Sequence, residues 1–337
     1  MTMLLSVRNL QVRFRTYAGV VHALRGVDFD LAAGDIVGIV GESGCGKTVT
    51  ASAIMRIIPS PPGEIIAGEA WFDGRDLLKM TEPELRHIRG NLISMIFQDP
   101  MTSLNPVLTI GTQLTEPFRV HQSIPAAEAR QRAVELLTLV GISDPASRLD
   151  QYPHQLSGGM RQRVMIAMAL ACNPRLLFAD EPTTALDVTV QAQILELLKQ
   201  LNQSLNTTIV LITHDLGVVA GLCRRVLVMY AGQVVEAATV NDLFAHPGHP
   251  YTLGLLHSVP HPESTGQRLS TINGQPPDLI IEPTGCAFLP RCPFAMQACL
   301  SAPPLFDAGE NHQVRCWLCH PDAPRPLPDA FATGGRS

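Results

Sequence analysis

The sequence has no apolar run approaching the roughly 18 residues of a membrane span, so no transmembrane segment is predicted. It opens MTMLLSVRNLQVRF, without the apolar core and small-residue cleavage site of a secretory leader. It has no excess of positive charge: 25 Lys and Arg stand against 30 Asp and Glu, a formal net charge of −5. A general nucleic-acid binder needs a basic surface, and this balance argues against one. These deficits predict a cytosolic chain, in which eight cysteines are poorly explained by disulfides. Charged residues make up 16% and hydrophobic residues 46%, far too apolar for a disordered chain and ample for a core. At about 150 residues per domain, 337 residues predict two domains.

The composition shifts along the chain. Cys45, Cys172 and Cys223 are scattered, whereas Cys286, Cys292, Cys299, Cys316 and Cys319 crowd together, and prolines thicken after Phe244. A boundary is therefore placed near residue 245. Residues 1–245 form the main body, with a helical part at about 99–165. Residues 246–325 form a cysteine-bearing extension, and 326–337 a Pro/Gly-rich flexible tail. No internal repeat is visible.

The first 95 residues read as short strands, with Leu10, Val12 and Phe14 alternating with polar residues. Ile36 to Val40 is an apolar strand ending in glycine. A helix follows from Lys47 to Ile58 and stops at Pro61-Pro62-Gly63. Ala133, Leu136, Leu137 and Val140 mark a helix face that Gly141 terminates. From Arg175 onward strands (Leu176–Ala179, Ile209–Thr213, Val226–Tyr230) alternate with helices, including one face built by Val190, Ile194, Leu197, Leu198, Leu201 and Leu205. This alternation predicts an α/β fold with a largely parallel sheet.

Gly41, Glu42, Ser43, Gly44, Cys45, Gly46, Lys47 and Thr48 fit G-x-x-x-x-G-K-[ST], a phosphate-binding (Walker A) loop between a strand and a helix. Glycines let backbone N–H groups turn inward on phosphate oxygens, and the helix N-terminus adds its positive dipole end. Lys47 is expected to reach the β- and γ-phosphates of ATP, and the Thr48 hydroxyl to sit on Mg²⁺. Cys45 reads as a small filler. Downstream, Leu176 to Ala179 lead into Asp180 and Glu181. Taken alone, two acids after a strand are usually a solvated edge. After a phosphate loop, Asp180 is expected to serve Mg²⁺ and Glu181 to polarise the attacking water as general base.

Leu156, Ser157, Gly158, Gly159, Met160, Arg161, Gln162 and Arg163 then make the resemblance specific: the string is similar to the LSGGQ signature of ATP-binding cassette (ABC) ATPases, with Met160 in place of glutamine. Ser157, Gly158 and Gly159 at a helix N-terminus suit a γ-phosphate. The other family motifs follow in order. Gln98 resembles the glutamine that links Mg²⁺ and water to the helical subdomain. Ala185-Leu-Asp187 resembles the segment that crosses to a partner, and His214 the switch histidine that contacts the γ-phosphate. Phe14 falls where the family places an adenine-stacking aromatic, with Tyr17 as the rival and a plain core aromatic as the bland alternative. The resemblance covers roughly residues 4–260. It implies a P-loop NTPase core with an antiparallel β-subdomain and a helical subdomain, the cysteine-rich extension being appended. It also implies ATP hydrolysis between two cassettes bound head to tail, so a chain with one cassette needs a second.

Within the family, Phe97-Gln-Asp-Pro-Met-Thr-Ser-Leu-Asn-Pro106, Tyr152-Pro-His-Gln-Leu-Ser157 and His249-Pro250-Tyr251 are similar to importers of dipeptides and oligopeptides, whose close relatives also move nickel chelates or glutathione. The branch implies two transmembrane permease subunits, a second and different ATPase subunit, and an extracytoplasmic solute-binding protein, with this chain on the cytoplasmic face of the cell membrane. A soluble ABC ATPase acting on DNA or ribosomes is the alternative, disfavoured by the charge and the single cassette. The cysteine spacings lack the paired C-x₂₋₄-C knuckles of structural zinc, except at Cys316-Trp-Leu-Cys319. Wider spacing suits a cubane cluster, and the resembling ATPases carry a [4Fe–4S] cluster in this extension. Cys286, Cys292, Cys299 and Cys316 are the expected ligands. Zinc and unliganded thiols are the alternatives, and Cys319 competes with Cys316 for the fourth place.

Overall fold

The computed structural model describes residues 2–184, 186–258 and 272–323. The chain divides into two compact units. One comprises Met1–Met3, Leu31–Ile36 and Lys79–Ile212, the other Leu4–Asp30, Val37–Leu78 and Thr213–Ser337. Among the described residues, no helix is long and apolar enough to cross a membrane.

In the second unit the N-terminal region builds strands β1 (Met3–Thr16) and β2 (Gly19–Ala32), each 14 residues long rather than the short strands the pattern suggested. The reason is a bulge. Leu5 and Val7 are buried on one parity and Leu10 and Val12 on the other. Between them Asn9 takes a left-handed φ of 47° and the pairing with β4 (Gly63–Phe72) shifts register. One inserted residue keeps the apolar side chains on one face, so a single strand reads as two. With β5 (Arg75–Asp76) these strands make a four-stranded sheet in the order β2-β1-β4-β5.

The same unit holds a second set of strands. β3 (Ile36–Val40) pairs parallel with β9 (Arg225–Tyr230), and β10 (Gln233–Thr239) turns back antiparallel on β9. The C-terminal residues continue this sheet: β12 (His312–Val314) pairs with β10, and β11 (Phe306–Gly309) with β12. Helix α1 (Lys47–Ile54) ends four residues before the expected Ile58. Arg56 adopts a left-handed φ of 52°, Ile57 N–H reaches the Ser52 carbonyl and Arg56 N–H that of Ala53. That is a Schellman stop; the apolar pattern runs past it. Helices α9 (Leu216–Leu222), α10 (Val240–Ala245) and α11 (Pro250–His257) complete this unit.

The first unit carries a parallel core of β6 (Ile93–Ile96), β7 (Leu176–Asp180) and β8 (Thr208–Thr213), every residue of which is buried. Its helices are α2 (Glu82–Ile88), α3 (Pro100–Ser103), α4 (Ile110–His121), α5 (Ala126–Leu139), α6 (Pro145–Arg148), α7 (Gly158–Leu170) and α8 (Val188–Leu205). Gly141 ends α5 as expected: its φ is 73°, and Ile142 N–H bonds the Leu137 carbonyl. The buried stripe of α8 is Ile194, Leu197, Leu198 and Leu201, each burying a side chain that contributes roughly 1.5–3 kcal/mol, whereas Val190 and Leu205, at the two ends of the expected face, are half-buried and exposed respectively. The expected α/β class holds.

Candidate functional site

Chemistry-bearing residues gather in each unit. In the second, the loop between β3 and α1 is shaped by steric necessity. A Cβ on Gly41 would lie 2.2 Å from the Met229 carbonyl oxygen, and one on Gly46 2.7 Å from Leu24 Cδ2. Gly41, Gly44 and Gly46 all take positive φ. Lys47 is buried, and its Nζ donates to the carbonyls of Gly41 (2.8 Å) and Glu42 (3.0 Å), which hold the ammonium across the loop. Thr50 Oγ1 donates to the Gly46 carbonyl at 2.9 Å, and Cys45 is buried beneath the loop with its thiol pushed up by burial. Ser43, Gly44 and Thr48 are exposed. Phe14 is half-buried on β1 opposite Gly63, whereas Tyr17 is fully exposed. His214 follows β8 and is exposed. The next residue, Asp215, caps α9 through the N–H groups of Gly217 and Val218.

In the first unit, register does the positioning. Ile96 pairs with Ala179 and Asp180 with Ile212, so the residues just beyond β6 and β7 emerge side by side. Gln98 Nε2 donates to Glu181 Oε2 at 2.9 Å, and Thr184 Oγ1 donates to the same oxygen at 2.9 Å. Glu181 sits at φ 44°, pinned by its N–H on the Ile212 carbonyl. Non-glycine residues rarely adopt that conformation, and its cost is typical of reacting sites. Asp180 is buried at the end of β7. The pairing of Gln98 with Glu181 was anticipated only as two separate motifs, and Thr184 was not anticipated at all. An alcohol three residues after a carboxylate is the signal that was available.

Ser157 is the N-cap of α7, its hydroxyl accepting from Met160 N–H at 3.3 Å. The Gln162 amide donates to the Pro182 carbonyl at 2.6 Å, tying the signature helix to the residue after Glu181. Asp187 caps α8 by accepting from Val190 N–H at 2.9 Å. Ala185 lies outside the described residues.

The cysteine-bearing segment belongs to the second unit. Burial is the main influence on its thiols: Cys286 and Cys316 are pushed up, and Cys292 is pushed up to about 11. Each also feels neighbouring sulfurs: Cys286 that of Cys299, Cys292 those of Cys286 and Cys299, and Cys316 those of Cys319, Cys286 and Cys292. Cys286 N–H bonds the Cys299 carbonyl at 2.9 Å. Cys319 neighbours Cys316 and turns its Sγ toward the Gly248 carbonyl at 3.6 Å, near Glu236. The four expected ligands are thus neighbours, but among the described residues no group of three or more His, Cys, Asp or Glu converges as a ligand set for one metal ion. The metal expectation therefore finds no preformed single-ion site.

Sequence reasoning also missed a buried network that holds this segment. Glu236, wholly buried on β10, accepts from the N–H groups of Gly248 (2.6 Å) and His249 (3.0 Å) and pairs with His312 Nε2 at 2.7 Å. His249 Nδ1 in turn accepts from Tyr251 N–H at 3.0 Å. Burial drives the His249 imidazole down to about 4, with Glu236 opposing the shift.

Known proteins place these features in a family. The sequence model of the ABC transporter family matches residues 24–184, and that of the oligopeptide/dipeptide transporter C-terminal region matches 235–299. The oligopeptide transport ATP-binding protein OppD of Bacillus subtilis is 55% identical over 97% of this chain and 92% of its own length. The dipeptide transport ATP-binding protein DppD of the same organism is 53% identical over 94% of this chain and 95% of its own. Among solved structures, a dimeric ATP-binding cassette in a post-hydrolysis state with ADP and Pi superposes with a TM-score of 0.63. It is 30% identical and covers 70% of this chain and 99% of its own. The chain therefore belongs to the ABC transporter family, among the oligopeptide and dipeptide transport ATP-binding proteins.

Proposed function

We propose that this chain is the ATP-hydrolysing subunit that powers import of dipeptides or oligopeptides, a peripheral subunit on the cytoplasmic face of the cell membrane. The observation that carries the reading is the Gln98 amide held on the Glu181 carboxylate at the ends of adjacent parallel strands. A carboxylate fixed by two donors is a positioned base for an attacking water. Lys47 is held on the carbonyls of Gly41 and Glu42, acceptors whose place ATP phosphates would take. Gly41, Glu42, Ser43, Gly44, Cys45 and Gly46 present the loop backbone, Phe14 stacks the adenine and His214 serves the γ-phosphate. The oxygen donors of Thr48, Asp180 and Gln98 suit Mg²⁺, a hard cation, and the Gln98 amide nitrogen already on Glu181 leaves the amide oxygen for the ion. When bound, Mg²⁺ supplies charge neutralisation at the phosphates.

Ser157, Gly158, Gly159 and Asp187 serve a second cassette across a head-to-tail dimer, and closure on ATP drives two permease subunits. We take the second cassette to be a different ATPase chain, and a solute-binding protein outside the membrane to deliver the peptide. The cassette proper spans 1–245 and the appended region 246–325. For that region the neighbouring thiols of Cys286, Cys292, Cys299 and Cys316 support a [4Fe–4S] cluster over zinc. A cubane takes each thiolate on a separate iron, whereas zinc needs all its ligands on one point. Its contribution is a cross-link that stabilises a segment poor in apolar residues.

The test is reconstitution with two permeases, the second cassette and the binding protein in proteoliposomes. Peptide-dependent ATP hydrolysis and uptake support the reading. Uptake of a nickel chelate or glutathione with no peptide uptake would reassign the substrate, and ATPase activity stimulated by DNA or ribosomes alone would overturn the transport role.

A further inference from the structure

The phosphate loop is gripped by the cysteine-bearing segment. Arg291 ends the short turn Leu289–Arg291, between Cys286 and Cys292. Its Nη1 donates to Glu42 Oε2 at 2.7 Å and its Nη2 to Glu42 Oε1 at 2.9 Å, a bidentate fork. The rest of the guanidinium is also committed. Nε donates to the Asn273 carbonyl at 3.0 Å, and the group lies 5.8 Å from the centroid of the Tyr230 ring and 5.9 Å from that of Phe288. The arginine side chain is 4% exposed. The backbone of Glu42 is held from the same region, its N–H donating to Tyr251 Oη at 2.8 Å. Tyr230, Tyr251 and Phe288 pack on one another with centroids 4.6 to 5.5 Å apart.

Glu42 is an awkward residue for this loop. Its carbonyl holds Lys47, and its carboxylate is an anion within a segment built to bind a triphosphate. Unpaired, that carboxylate repels the ligand and is free to take Lys47 for itself. We propose that Arg291 is a positioning residue of the ATP site, which sets nucleotide affinity by neutralising Glu42 and holding it on the C-terminal segment. Because Arg291 is carried by the turn between two cysteines, the conformation of that turn is read out at the phosphate loop. The proposal rests on residues 41–48 binding nucleotide.

The experiment is titration of the full-length chain with a fluorescent methylanthraniloyl ATP in Mg²⁺ buffer. Arg291→Ala should weaken binding by roughly 5–10-fold, a value reduced because Glu42 is partly exposed. Arg291→Ala combined with Glu42→Gln should recover affinity to within about twofold of wild type, since the uncompensated charge is gone. In the assembled ATPase, Arg291→Ala should raise KM for ATP and leave kcat within about twofold. Arg291→Lys keeps the charge without the fork and should fall between wild type and Ala. If Arg291→Ala fails to fold, Arg291→Lys and Tyr251→Phe decide, since wild-type affinity in both would overturn the proposal. Weak binding that the double variant does not rescue, with an early melt, would reduce Arg291 to a structural residue. A wild-type chain that binds no nucleotide would instead sink the ATP-site reading itself.

Discussion

Gln98 and Glu181 lie 83 residues apart in sequence and meet at 2.9 Å, the glutamine amide donating to the carboxylate. Glu181→Gln in the assembled complex should cut ATP turnover by roughly 10²-fold or more, the order expected for losing a general base, while ATP binding persists and a dimer accumulates. Gln98→Ala leaves the base in place but unoriented and should cost a smaller factor, about tenfold. Phosphate-release assays at saturating ATP read both; equal losses would mean that Gln98, through Mg²⁺ as well as through Glu181, matters as much as the base itself.

Gly158 and Gly159 are neighbours in sequence with different surroundings. A Cβ on Gly158 would meet nothing within 4 Å, whereas one on Gly159 would lie 3.2 Å from Val190 Cγ1. Gly158→Ala in the first turn of α7 should therefore leave the melting temperature of the isolated chain unchanged or slightly raised, as replacing a helical glycine gains roughly 0.5–1 kcal/mol. It should nevertheless lower ATPase activity once the second cassette is present, because that open space is where the partner's nucleotide is expected. Unimpaired activity of the assembled variant would argue against that placement.

His249 makes stability fall with acid. Its folded imidazole is driven to about 4 from 6.5, so the unfolded chain binds the proton more readily. The stabilisation is complete above pH 6.5 and is lost as pH falls from there toward 4. It amounts to about 3 kcal/mol, of the order of the shift at 1.4 kcal/mol per unit. Protonation would also remove the Nδ1 acceptor of Tyr251 N–H. Thermal melts from pH 7 to 4.5 should show a steeper decline for wild type than for His249→Asn, which can still cap the helix but does not titrate.

Anaerobically purified protein should be brown, with broad absorption at roughly 400 nm and about four irons per chain. Cys316→Ser should bleach it and Cys319→Ser should not, because Cys319, although a neighbour of Cys316, turns its Sγ to the Gly248 carbonyl and lies near Glu236, whereas Cys316 is also close to Cys286 and Cys292. Iron-free protein with stoichiometric zinc would reverse the assignment.

What could be read in the sequence was chemistry that neighbours perform together. The phosphate loop, Asp180 with Glu181, and the Ser157 cap are each confined to a few residues, and their spacing carries their meaning. Secondary structure was legible where apolar periodicity was continuous, as in α8, and failed where one residue broke it. Asn9 shifted the parity of β1, and the left-handed Arg56 ended α1 while the apolar pattern ran on. Pairings made by tertiary folding left no such trace. Nothing near Glu42 announces Arg291, and nothing near Glu236 announces His312, because each contact is fixed by packing that no local pattern records.

The clamp on Glu42 also has a direction in time. Its two halves are separated by 249 residues, with the phosphate loop near the beginning of the chain and Arg291 near its end. A ribosome releases the loop first and the arginine 249 residues later, so a nascent or stalled chain that stops short of residue 291 carries a phosphate loop without its guanidinium. Long-range closures of this kind form late and slowly. Synthesis of the Leu289–Arg291 turn, rather than of the loop itself, therefore marks the moment from which the clamp on Glu42 can close.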